Sequence, residues 1–283
     1  MSDAVQHFSS VSADYAQHRP SYPPALASAL AALAPARRLA LDVGCGSGQL
    51  SLLLAEHFDR VLATDSSAEQ IAKAKPHPRI TYRCEPAEMS SAEAASVDLV
   101  TVAQAAHWFD LPAFYDAVRR IASPGAAIAL ITYGVMLVEE DIDARFQQFY
   151  WHEIQPFWPP ERKHVESGYR DLAFPFAFLP MPALSIERDW TLADLLGYLR
   201  TWSAVGAAHK ARRDDVIERF EADLADIWGD AERRRRVSWP IAVRAGRLRK
   251  LAEPSLKDVL LAPDARTNTL TPARQSHRQR RDK

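Results

Sequence analysis

The chain has 283 residues, 47% apolar and 25% charged, the mix of an ordinary globular protein, which excludes general disorder. Its 35 basic and 36 acidic side chains leave a net charge of −1, which argues against a surface built to wrap a polyanion. The two cysteines, Cys45 and Cys84, stand 39 positions apart; that spacing makes neither a disulfide scaffold nor a cysteine zinc site, and no metal site is expected.

In chain order, the opening MSDAVQHFSS has neither a basic patch nor an apolar run, so no leader is read. No apolar stretch reaches bilayer length, and a cytoplasmic protein with no membrane partner is expected. LALDV (39–43) is an apolar run that ends in a glycine loop. QLSLLLAEHF (49–58) has helical spacing, with Leu50, Leu53, Leu54 and Phe58 on one face. RVLATD (60–65) reads as a second strand, and Ser66 or Ser67 as the cap of a helix AEQIAKAK, with Glu69 and Gln70 placed for a capping box. ITYRCE (80–85) and VDLVTVAQ (97–104) are further strands, AFYDAVRRIA (113–122) is an amphipathic helix, and AAIALITYG (126–134) is a fifth strand.

These strands are continuous apolar runs and not alternating ones, as in a parallel sheet covered on both faces. Their alternation with helices predicts a doubly wound α/β fold. After Gly134 the texture becomes helical and proline-punctuated, and six of the seven tryptophans fall after residue 150. LSIERDW (184–190) and RVSWPIAVRAG (236–246) read as late strands, the second as an edge strand because of Pro240. One domain is expected over 1–250, with helical insertions at about 135–183 and 191–235. Residues 251–283 read as a flexible basic tail.

The decisive stretch is Asp42-Val43-Gly44-Cys45-Gly46-Ser47-Gly48, between a strand and a helix. A chain with ten glycines sets three within five positions, where backbone must approach a ligand closely. Asp65 ends the next strand, 21 positions after Gly44, where an acid accepts hydrogen bonds from ribose hydroxyls. An adenosine cofactor follows. The glycines run G-x-G-x-G and then Gln49, which departs from the dinucleotide pattern, and no P-loop is present. Asp42 would repel a pyrophosphate and suits a cation. S-adenosyl-L-methionine (SAM), with a sulfonium, an ammonium and no phosphate, meets these conditions.

LALDVGCGSGQLSLLLA, VLATD, PAEMS, SVDLVTVAQAAHWFD and FSSVSADYAQHRPSYPP together resemble the class I SAM-dependent methyltransferases. More narrowly, they look like the small-molecule group that includes trans-aconitate and cantharidin methyltransferases. The resemblance is dense over 8–134 and sparser through GYLRTWSA and WPIAVRAGR. It implies a Rossmann-like, mostly parallel seven-stranded sheet with its last strand antiparallel and a helical insertion after strand five. It also implies that Gly44, Cys45, Gly46 and Gly48 lie against the methionine part of SAM, and that Asp65, with Ser66 beside it, holds the ribose. By the same resemblance Ala87 and Glu88 flank the adenine, and Gln104 to Trp108 border the methyl group and the acceptor. Tyr15, Arg19 and Tyr22 would lie across the cofactor.

Methyl transfer from a sulfonium is an in-line displacement that asks the protein mainly for alignment and exclusion of water. His107 is the expected catalytic residue, hydrogen-bonding the acceptor or taking its proton; the competing reading is a structural histidine. Trp108, Tyr22, Tyr133, Trp158 and Trp202 are the expected acceptor-pocket residues, against a reading as packing. The expected activity is methyl transfer to a small-molecule acceptor, a carboxylate oxygen among the options. A nucleic-acid methyltransferase is disfavoured, since AQAAHWFD stands where [DNS]-P-P-[YFW] would follow strand four. A SAM-binding protein without transfer remains as the alternative.

Overall fold

The computed structural model describes residues 20–248. Tyr15, Arg19 and the expected tail at 251–283 lie outside the described residues.

Local sequence sets the elements. Helix α1 (Pro24–Leu33) starts with proline at its first position and buries Leu26, Ala27, Leu30 and Ala31. Strand β1 (Leu39–Val43) leads through the glycine loop to α2 (Gln49–Leu54), which stops four residues before the expected end. Strand β2 (Arg60–Asp65) is followed by α3 (Ala68–Ala72), capped by Ser67, whose side chain accepts from the Gln70 N–H. Then come β3 (Ile80–Cys84) and β4 (Val97–Ala103). Helix α4 (Leu111–Ile121) is capped by Asp110 and buries Phe114, Tyr115, Val118 and Ile121, each such apolar side chain contributing about 1.5–3 kcal/mol. Strand β5 (Ala122–Tyr133) follows directly.

The strand order is β3-β2-β1-β4-β5-β8-β6, where β6 is Ala177–Leu179 and β8 is Arg235–Arg247, with β7 (Leu184–Trp190) also paired to β8, and β1 to β5 are parallel. Alternate residues of β5 serve opposite faces. Ala127, Ala129 and Ile131 pack with Leu26, Leu30, Leu50 and Leu54, while Ile128 and Leu130 pack with Phe114 and Val118. Helices α1 and α2 therefore cover one face and α4 the other, as the continuous apolar strands predict.

The insertion holds α5 (Glu140–Gln148), a π-helical turn (Phe149–Glu153) and α6 (Arg162–Glu166). After β6 (Ala177–Leu179) and β7 (Leu184–Trp190) come α7 (Leu192–Arg200), α8 (Ser203–Lys210) and α9 (Asp214–Trp228). Buried Arg235 ties the start of β8 (Arg235–Arg247) to α5, donating to Glu139, Asp141 and the Trp228 carbonyl.

Two expectations are corrected. The described sheet has eight strands, not seven. Both β6 and β7 pair antiparallel with β8, at Arg247–Ala245 and Ile241–Arg235. The expected strand at 184–190 is β7 as read, and β6 is an additional strand, separated from it by a stretch that includes Pro180 and Pro182, which have no N–H for a ladder. Nor is β8 an edge strand: β5 pairs with its second half and β7 with its first. Pro240 is tolerated because the β5 ladder begins at Ile241 and the next bridge on from β5, from Leu137, falls at Ser238.

Candidate functional site

Strand order reverses between β1 and β4, where doubly wound sheets bind ligands beyond their carboxyl ends. A cavity of about 400 Å³ lies there, within the range of small-molecule sites.

The glycine loop forms its floor. Gly44, Gly46 and Gly48 all have left-handed backbone, with φ of +68°, +55° and +85°. A Cβ on Gly44 would stand 2.5 Å from the Cβ of Ala105, so the β1 and β4 loops touch only because this residue is glycine. At Gly46 the nearest atom to such a Cβ is 3.9 Å away; this glycine leaves open room on the cavity side.

Asp65 fastens the loop. Its Oδ2 accepts from the Gly46 N–H and its Oδ1 from the Ser67 N–H, both at 2.8 Å. Each carboxylate oxygen keeps a lone pair for a further donor, so the acid can brace the loop and still hold a ribose. Asp42 is buried beneath it, with Oδ2 accepting from Ser51 Oγ at 2.6 Å and Oδ1 from Thr101 Oγ1 at 2.8 Å. Burial pushes its pKa up to about 6, against those hydrogen bonds and with help from the Asp65 charge. No Lys, Arg or His lines the cavity among the described residues, so Asp42 has no positive partner there. Burial also pushes the Cys45 thiol up and keeps it protonated.

Gln104 shapes the opposite wall. It is left-handed, with φ of +57°. Its Nε2 donates to the Tyr133 carbonyl at 2.9 Å, and its Oε1 accepts from Thr132 Oγ1 at 2.7 Å. The end of β4 is thereby locked to the end of β5. Ser66, Ala87, Glu88, Tyr22, Trp108 and Tyr133 also line the cavity, and Glu88 Oε1 accepts from the Asp110 N–H at 3.0 Å.

Four expected residues do not line it. Gly48 is the left-handed cap of α2, and a Cβ there would meet Tyr82 Oη at 2.4 Å; it contributes shape from behind the wall. His107 Nδ1 is hydrogen-bonded to Tyr169 Oη at 2.9 Å. Burial, with the charges of Arg162 and His164, holds its imidazole down to a pKa of about 4. Trp202 is 6% exposed and packs among Phe146, Tyr150, Trp158 and Tyr198, and Trp158 lies in the same aromatic cluster.

Sequence reasoning passed over Gln70 and Phe109, which do line the cavity. Gln70 was legible only as a capping residue of α3. Phe109 follows Trp108 after a single 3-10 turn, and no periodicity says which of the two aromatics faces inward.

A parallel sheet with a left-handed glycine loop after β1 and an acid closing β2 defines a nucleoside-binding α/β protein. An uncompensated buried carboxylate beside that loop makes its site one that prefers a cation. Comparison with known proteins agrees. The family described as methyltransferase domain matches residues 41–130. A Dictyostelium discoideum protein provisionally named a methyltransferase is 34% identical over 221 residues, 77% of this chain and 84% of its own. A chain from Anaeromyxobacter dehalogenans, solved under the provisional name of type II methyltransferase, is 50% identical with a TM-score of 0.78, covering 82% of this chain and 98% of that one. The malonyl-acyl-carrier-protein O-methyltransferase of Enterobacter lignolyticus is 30% identical over 196 residues, 65% of this chain and 71% of its own. The chain belongs to the SAM-dependent methyltransferase family, and SAM is its cofactor. No helix of the described residues is long and apolar enough to cross a membrane.

Proposed function

We propose that the enzyme places a methyl group directly on an oxygen of a small-molecule acceptor, and that this oxygen belongs to a carboxylate. One observation carries the reading: among the described residues no Lys, Arg or His lines the cavity, and the histidine nearest to it in sequence is turned onto Tyr169. Among the described residues, an acceptor that must first lose a proton finds no histidine or lysine there to take it. A carboxylate arrives ionised near neutral pH. The Enterobacter relative is named as an O-methyltransferase, and that name and the resemblance to the trans-aconitate and cantharidin group both support this direction.

When bound, SAM supplies a methyl group activated by a positive sulfur, open to in-line attack. The chain's own part is alignment. Gly44, Cys45 and Gly46 take the methionine portion against backbone. Asp42 supplies the negative charge that the cationic end requires, and a bound cation restores its ionisation. Asp65, with Ser66 beside it, accepts from the ribose hydroxyls, while Ala87 and Glu88 border the adenine. Gln104, Tyr133, Tyr22 and Trp108 form a neutral, largely aromatic wall that seats the acceptor and excludes water. His107 acts from behind Trp108, holding its position without exchanging a proton with the acceptor.

The test is label transfer. Protein, methyl-labelled SAM and a small-molecule extract of the source cells are incubated, and the product is treated with mild base. Labelled methanol is the expected release, since methyl esters hydrolyse. Label that stays on the product would move the acceptor atom to a phenol, nitrogen or carbon and return His107 to the position of leading base.

A further inference from the structure

One amide in the cavity wall is fixed from two sides. Gln104 lines the cavity just after β4, and its backbone is left-handed, with φ of +57°. That state is uncommon for a residue with a Cβ and is kept where the surroundings impose it, often at functional sites. Here the surroundings are the end of β5. Thr132 Oγ1 donates to Gln104 Oε1 at 2.7 Å, and Gln104 Nε2 donates to the Tyr133 carbonyl at 2.9 Å. The Tyr133 carbonyl only accepts, so turning the amide over would set two acceptors against each other.

This clamp leaves one N–H over. An amide nitrogen carries two hydrogens; the Tyr133 carbonyl takes one, and the second has no partner among the described residues. Thr132 is fully buried and does not line the cavity. It also hydrogen-bonds the Tyr169 hydroxyl, and it reaches a molecule in the cavity only through Gln104.

The amide stands where the two ligands would meet. Ala105, its neighbour in the chain, lies against Gly44, in the loop that takes the methionine portion of SAM. Tyr133, whose carbonyl it holds, lines the acceptor wall. No Lys, Arg or His lines the cavity among the described residues, so an ionised acceptor is received there by neutral donors. A neutral N–H orients a carboxylate and draws less charge from it than an ion pair would.

We propose that the free Gln104 N–H binds the oxygen of the acceptor carboxylate that is not methylated, and that Thr132 is the positioning residue that aims it. The other oxygen then forms the C–O bond as the methyl–sulfur bond breaks, the electron pair staying on sulfur and no proton moving. In the ester product the held oxygen is the carbonyl and still accepts. A group that only donates, such as an ammonium, meets a like donor at this point and is rejected. The inference rests on the reading of a carboxylate acceptor and adds to it the atom that selects that group.

The experiment follows labelling of the same extract from methyl-labelled SAM by the wild-type protein, Thr132→Val, Thr132→Ser and Gln104→Asn, with base treatment of each product. Titration calorimetry gives the SAM affinity and the fraction of each protein that binds SAM, and rates are scaled to that fraction. Thr132→Val keeps the shape and removes the hydroxyl; it should slow labelling in dilute extract roughly 10-fold with SAM affinity unchanged. Thr132→Ser keeps the hydroxyl and should label nearly as the wild type does. Gln104→Asn suits the left-handed backbone, leaves Thr132 and Tyr169 untouched, and draws the amide back by one methylene; it should slow labelling roughly 10- to 100-fold. Wild-type labelling by Thr132→Val or Gln104→Asn overturns the proposal. So does a Thr132→Ser protein as slow as Thr132→Val, which would leave Thr132 a matter of packing, and so does lost SAM affinity in either slow variant, which would give Gln104 to the cofactor. Should Thr132→Val fail to fold, Gln104→Asn decides. Base-stable label would sink the carboxylate reading and this proposal with it, whereas methanol release with wild-type rates in the variants would sink the proposal alone.

Discussion

Tyr169 and His107 stand 62 positions apart in sequence, and Tyr169 Oη and His107 Nδ1 are hydrogen-bonded at 2.9 Å. Tyr169 is fully buried and left-handed, with φ of +62°, a backbone state rare for a bulky residue and held only where packing imposes it. The insertion is thus latched to the loop after β4 through the Tyr169 side chain.

That latch has a pH consequence. The folded protein keeps His107 neutral down to about pH 4, whereas in the unfolded chain it takes up a proton near pH 6.5. Between those values the unfolded state binds more protons, so stability is full above pH 6.5 and is lost as pH falls toward 4. The wild-type melting temperature should therefore drop more between pH 7 and pH 5 than that of His107→Asn, whose amide can still hydrogen-bond Tyr169. Equal drops in the two proteins would remove His107 as the cause.

Asp42 titrates with the opposite sign. Its folded pKa is raised to about 6, so its contribution is fully present below its unfolded pKa near 3.9 and is lost as pH rises through 6. Asp42→Asn is expected to raise the melting temperature of the ligand-free protein at pH 8, by the equivalent of about 1–3 kcal/mol. The same change should weaken SAM binding roughly 10- to 100-fold, since the cation loses its counter-charge. Unchanged SAM affinity would take Asp42 out of the binding site.

Asp65→Ala removes the acceptor of the Gly46 and Ser67 N–H groups as well as the ribose contact. SAM affinity should fall by about 1–3 kcal/mol in titration calorimetry. Asp65→Asn, which keeps one amide oxygen, should lose less. If both variants bound SAM as the wild type does, the carboxylate would have no part in holding the cofactor.

Two glycines should respond in opposite directions. Gly44→Ala drives a Cβ to 2.5 Å from that of Ala105 and strains a left-handed backbone, so both melting temperature and SAM affinity should fall. Gly206 lies inside α8, and a Cβ added to it would meet nothing within 4 Å. Gly206→Ala should stabilise the fold by about 0.5–1 kcal/mol and leave SAM binding alone. Thermal melts of the two variants, with and without SAM, check both signs at once.

Trp202 is packed edge-on against Phe146, Tyr150 and Tyr198, so its removal is a core deletion. Trp202→Ala should lower stability by about 3–5 kcal/mol in denaturant titration. A variant of wild-type stability that had lost acceptor binding alone would restore the pocket role expected from sequence.

Much of the fold was legible because its causes are local. Unbroken apolar runs such as LALDV and VDLVTVA mark strands covered on both faces. Three glycines with an acid 21 positions beyond the first mark a nucleotide loop, because the left-handed turns and the ribose contact each demand a residue type. Cavity-facing Asp42, Gly44, Gly46 and Asp65 followed from that chemistry. What lies across the chain was decided by tertiary structure. Whether His107 turns to an acceptor or to Tyr169, and whether Trp202 faces a ligand or Tyr198, depends on which distant side chain packing brings opposite. Pro240 sits inside the sheet only because β5 ends before reaching it, and β6 and β7 are separate only because both find β8 across two prolines. Local spacing specifies a strand, a cap or a glycine turn; the direction in which a side chain points after the turn is set by contacts many residues away.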